Sequence, residues 1–119
     1  MGEKEEIFFP YEKVRPVQDE LMKLIYDTIK NKKNLIVHAP TGLGKTSASL
    51  APALGFAINK NLTIFFLTSR HTQHKIVIET LRSIKEKSNA DFAVTDMIGK
   101  KGMCASPGVA AFTTRDFME

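Results

Sequence analysis

The residues best suited to chemistry in this 119-residue chain form one run, Ala39-Pro40-Thr41-Gly42-Leu43-Gly44-Lys45-Thr46. Its spacing is that of a phosphate-binding loop, the Walker A pattern: Gly, four residues, then Gly-Lys and Ser or Thr. A loop free of bulky side chains lets backbone N–H groups converge on phosphate oxygens at a helix N-terminus. Ala39 stands where the pattern has its first glycine. Alanine accepts ordinary negative φ but not the left-handed region, so the tight turning falls to Gly42 and Gly44, which should not be replaceable. In this reading Thr41, Gly42, Leu43, Gly44, Lys45 and Thr46 hold a nucleoside triphosphate. Amides from Gly42 to Thr46 cradle the β- and γ-phosphates, Lys45 adds a mobile point charge, and the Thr46 hydroxyl ligates magnesium.

A second chemical cluster is Thr68-Ser69-Arg70-His71, where hydroxyls and a guanidinium suit contact with a phosphate backbone. The net charge is +4, and the stretch from Lys60 to Lys87 holds the whole excess: Lys60, Arg70, Lys75, Arg82, Lys85 and Lys87 stand against Glu79 and Glu86. A polyanion is drawn to such a stretch through phosphate contacts and counterion release, although a solvated basic helix face has the same composition. His71 and His74 are spaced as in some metal sites, but no third ligand is near them in the sequence, so no metal is expected there. A single cysteine, Cys104, forms no internal disulfide. The acidic start of the chain lacks the apolar core of a secretory signal, and no apolar run approaches a membrane span. An intracellular, cytoplasmic protein without a membrane role is expected.

These residues need elements to position them. Pro16 occupies a first helical position, and Val17, Leu21, Leu24, Ile25 and Ile29 recur on one face, so a helix is expected up to about Asn31. Leu35 to His38 reads as a strand that feeds the loop. A second helix begins inside the loop and carries small residues, Ala48, Ala51, Ala53, Gly55 and Ala57, suited to close packing on a sheet, with a kink at Pro52. Leu62 to Leu67 reads as a buried strand, Thr72 to Lys87 as a third helix with Val77, Leu81 and Ile84 as its stripe, and Phe92 to Thr95 as another strand. A helix followed by β-α-β-α-β implies a parallel sheet covered on both faces, with ligands at the carboxyl ends of its strands. The fold class is therefore α/β, a P-loop NTPase sandwich of three layers, present in part.

Taken together, the motifs resemble the XPD-type DNA helicases of superfamily two in their archaeal form, from about Phe9 to Cys104. Phe9-Pro10-Tyr11 and Arg15-Pro16-Val17-Gln18 look like that family's adenine-recognition segment, in which Gln18 reads the base edge. A carboxamide can give and take a hydrogen bond at adenine N6 and N7 simultaneously. Ala39 to Thr46 matches motif I, including alanine in place of the first glycine. Thr68 to Gln73 is similar to motif Ia, which implies that Thr68, Ser69, Arg70 and His71 grip single-stranded DNA. Gly102-Met103-Cys104 with Pro107 looks like the entry to the family's iron-sulfur insertion, which makes Cys104 the first of four thiolate ligands. The cluster is not expected to assemble on this chain alone. The resemblance divides the chain into 1–98, the N-terminal part of the RecA-like first motor domain, and 99–119, the truncated start of the iron-sulfur insertion.

It also implies parts that this sequence lacks. Asp19-Glu20 is the only Asp-Glu pair, and it falls in the first helix, so no Asp-Glu-Ala-His box completes the magnesium site. An arginine finger from a second motor domain is absent too, a loss that typically costs on the order of a thousandfold or more in rate. The expectation is a monomeric helicase that spends ATP to move on single-stranded DNA and open forked duplexes in DNA repair, of which this chain binds nucleotide weakly and without turnover. Two other classes share the loop. A small nucleotide kinase needs acceptor-site arginines and a lid, and a non-catalytic nucleic-acid-binding module keeps the loop as scaffold.

Overall fold

Three segments have the periodicity and end signals of helices, and all three are helical in the computed structural model, which describes residues 7–99: α1 (Pro16–Lys30), α2 (Lys45–Lys60) and α3 (His71–Ser88). Pro16 opens α1 where its missing N–H would have no intrahelical partner anyway. Gln18 Oε1 reaches back to accept from the Arg15 N–H at 3.1 Å, the return half of a capping box. At the other end Lys32 adopts φ +54°, and the Lys33 and Lys32 N–H groups donate to the carbonyls of Thr28 and Ile29 at 3.0 Å, a Schellman closure. Asn61 and Asn89 end α2 and α3 in the left-handed conformation that asparagine tolerates better than most residues.

α2 is the central element, with α1 and α3 both packed on it. The small residues expected to lie on a sheet lie partly under α1 instead, because Ala48 and Ala51, both 0% exposed, form one cluster with Met22. That docking also corrects the face of α1. Its buried residues are Gln18, Met22 and Tyr26, whereas Val17 and Leu24 are exposed. A row of alanines leaves a shallow groove that a long, flexible Met fills, and Tyr26 adds an edge contact with Phe56 at 5.9 Å. On the α3 side Leu50 and Leu54 meet Val77 and Ile84. Pro52 is fully buried, and α2 runs through it without interruption.

The stretch before α1 threads between these clusters. Ile7 and Phe9 pack on the α1 side and Phe8 on the α3 side, the alternation of an extended segment, and the Phe8 N–H donates to the Ala51 carbonyl at 3.4 Å.

The expected parallel sheet is not formed among the described residues. The segments at 35–38, 62–67 and 92–95 are non-helical, as expected, but no strand ladder joins them. Apolar, β-branched composition favours extended backbone locally. A ladder needs a partner backbone about 4.8 Å away, which composition does not supply. Residues 61–68 and 91–97 instead line an open, largely apolar cavity of about 620 Å³ together with Leu54, Val77 and Leu81. Two contacts set the course of the later segment along α3. Lys85 Nζ donates to the Phe92 carbonyl at 3.0 Å, and His74 Nδ1 lies 2.6 Å from Asp96 Oδ1, so the segment runs antiparallel to the helix.

Candidate functional site

Gly42 and Gly44 both adopt positive φ, +84° and +75°, which puts the turning of the loop on the two residues without a Cβ. Their surroundings differ. A Cβ on Gly42 would meet nothing within 4 Å, whereas one on Gly44 would fall 2.6 Å from Gln18 Nε2. Gly44 is also the N-cap of α2, so Lys45 and Thr46 are the first residues of that helix. The first turn holds no acidic side chain, and the positive end of the helix dipole is left uncountered for an anion.

Three side chains bind the carbonyl edge of the loop. Arg15 Nη1 donates to the Gly42 carbonyl at 3.1 Å, and Gln18 Nε2 donates to the Leu43 carbonyl at 2.6 Å. Lys45 Nζ donates to the carbonyls of Ala39 and Pro40 at 2.7 and 3.2 Å while remaining exposed. Thr46 is half-buried beside it. Among the described residues no group of three or more His, Cys, Asp or Glu side chains is placed to hold a metal ion.

Gln18 thus sits at the loop, 6% exposed, with both ends of its amide engaged. Phe9 and Pro10, from the other half of the expected adenine segment, are packing residues, and Tyr11 is exposed with an edge contact to Phe9 at 5.6 Å.

Thr68, Ser69, Arg70 and His71 form a separate turn. Arg70 is the N-cap of α3, and its N–H donates to Thr68 Oγ1 at 3.3 Å. Its guanidinium and the imidazole of His71 are exposed, and among the described residues no hydrogen bond or ion pair links this turn to the loop at 39–46. Asp19, in the first turn of α1, is paired with Lys23 at 2.7 Å. Cys104 and the segment from 100 to 119 lie outside the described residues. What the sequence did not disclose is the link between Arg15 and Gly42, since a bond between residues 27 apart leaves no local pattern.

A family model described as DEAD/DEAH box helicase matches residues 15–104. A probable ATP-dependent helicase of Methanocaldococcus jannaschii is 43% identical over 101 residues, which is 84% of this chain and 15% of the relative. The ATP-dependent DNA helicase YoaA of Haemophilus influenzae is 37% identical over 75 residues, 63% of this chain and 11% of that protein. The ATP-dependent DNA helicase XPD of Sulfolobus acidocaldarius is 28% identical over 92 residues, 77% of this chain and 16% of that protein. The chain therefore spans no more than 16% of the length of these relatives. No solved structure gives a significant match.

Proposed function

The chain belongs to the DEAD/DEAH box helicase family, and from that premise we propose that it is the nucleotide-binding part of an ATP-dependent DNA helicase of the XPD type. The family carries a RecA-like P-loop fold and uses ATP with magnesium, which sets aside the nucleotide-kinase alternative. The observation that supports the reading best is the loop itself: two glycines at positive φ, then Lys45 and Thr46 opening a helix with no acid in its first turn. In this reading Lys45 leaves the carbonyls of Ala39 and Pro40 for a β- or γ-phosphate, exchanging two neutral acceptors for a charged one, a stronger partner. Thr46 would hold magnesium, which supplies charge neutralisation at the phosphates. Gln18 would read the adenine edge with its second N–H and the free lone pair of its oxygen, keeping its bond to the Leu43 carbonyl. Thr68 to His71 would take the backbone of single-stranded DNA, with Arg70 as the principal cation.

The longer protein would couple ATP hydrolysis to movement on single-stranded DNA and to opening of forked duplexes in repair. Names of relatives support the helicase activity, and the XPD relative favours this branch, in which Cys104 begins an iron-sulfur insertion. The test is a titration with a fluorescent ATP analogue. Lys45→Ala is expected to weaken binding about tenfold or more, and equal affinity of the two proteins would remove the nucleotide half. Arg70→Ala is expected to weaken single-stranded DNA binding and to lower its salt slope by about 0.7. Salt-sensitive DNA binding without nucleotide binding would select the non-catalytic module.

A further inference from the structure

Two tethers from the start of α1 reach successive carbonyls of the loop, Arg15 to Gly42 and Gln18 to Leu43. A trans peptide unit is planar, with its C=O and N–H pointing in opposite directions. Fixing the Gly42 carbonyl toward Arg15 therefore turns the Leu43 N–H away from α1, and fixing the Leu43 carbonyl toward Gln18 does the same for the Gly44 N–H. Neither N–H donates to any acceptor among the described residues. Glycine at Gly42 and Gly44 makes these peptide units easy to rotate, so without the tethers nothing local would hold their direction.

We propose that Arg15 is a positioning residue for phosphate binding: with Gln18 beside it, its guanidinium holds the loop's carbonyls on the α1 side, so that the Leu43 and Gly44 N–H groups face an incoming triphosphate. The inference rests on the nucleotide reading above and deepens it. A positioning arginine and a base-reading arginine differ in what they discriminate. A tether that arranges amides serves every triphosphate alike, whatever its base, and serves inorganic tripolyphosphate equally.

The experiment measures binding of ATP, GTP and inorganic tripolyphosphate to the wild-type chain, Lys45→Ala and Arg15→Ala by calorimetry, with amide NMR spectra of the ligand-free proteins. Arg15→Ala is expected to weaken all three ligands by a common factor of about three to ten and leave the ATP-to-GTP ratio unchanged. The Leu43 and Gly44 amide resonances should move while those of Leu54 and Ile84 stay. Loss confined to ATP, or unchanged tripolyphosphate affinity in a wild type that exceeds Lys45→Ala, would overturn this role alone. A wild type that binds no better than Lys45→Ala overturns the nucleotide reading as well. If Arg15→Ala fails to fold by circular dichroism, Arg15→Lys decides, because lysine keeps the charge but not the planar fork. Joint movement of tripolyphosphate affinity and the loop amides supports the role, and any other pattern overturns it.

Discussion

The phosphate loop up to Gly44 and the apolar segments at 62–67 and 92–95 are all non-helical and largely exposed, yet they are held in opposite ways. The loop is fixed by short-range geometry, two positive-φ glycines, and by hydrogen bonds from three side chains to its carbonyls. The apolar segments have no ladder, and Phe65 and Leu67 are 82% and 87% exposed. The loop's determinants are polar and specific, so each bond can form one at a time. A parallel sheet gains little until several strands and their covering layers are together, because its ladders join residues far apart in sequence. The difference teaches that the part of this chain with chemistry is held by glycine geometry and a few single polar bonds, whereas the apolar segments depend on layers that must assemble together.

The largest expected effect tests the frame on which both regions rest. Ile84 is 1% exposed in the cluster that joins α2 to α3. Ile84→Ala should lower stability by about 2–5 kcal/mol, read as a shift of the urea midpoint, and should release the loop and the apolar segments alike. A selective effect on one region would show that they do not share a frame.

The glycines sharpen the comparison from the side of the loop. Gly42→Ala meets open space and should lose only the cost of a left-handed residue, about 1–2 kcal/mol. Gly44→Ala carries the same strain and also drives Gln18 Nε2 from a position 2.6 Å away. It should be the more destabilising of the two and should lose more nucleotide affinity, by the same urea and calorimetric measurements. Equal losses would mean that Gln18 yields freely and that its bond to Leu43 holds nothing.

Much of this frame was legible in the sequence because its signals are local. Pro16 marks the start of α1, the Gly-Lys-Thr step marks the start of α2, and Val77 and Ile84 mark the inner face of α3. The face of α1 was not legible, since Met22 and Tyr26 gain their burial from α2, and hydrophobicity alone favoured Val17 and Leu24. The segments read as strands are non-helical, but among the described residues none of them is a strand, because pairing is a property of the partner. At the candidate site the loop could be read residue by residue, while the bond from Arg15 to Gly42 could not.

Phe65→Ala is the smallest expected effect and the most direct attempt to break the comparison. With Phe65 82% exposed, the side chain buries little area, so truncation should change the urea midpoint of this chain by no more than about 0.5 kcal/mol. A phenylalanine covered on a packed sheet behaves otherwise, because its removal leaves a cavity and costs about 3–5 kcal/mol. A loss of that size here would show that the segment is already buried against a partner, and the contrast with the loop would disappear. In a longer chain carrying the whole RecA-like domain, the proposed parallel sheet should give Phe65 its covering layer, and there the larger loss is the expected one. The gap between the two measurements then reports how much of the sheet's stability is supplied by residues distant in sequence, while the Gly42 and Gly44 variants, whose strain is local, should change by similar amounts in both.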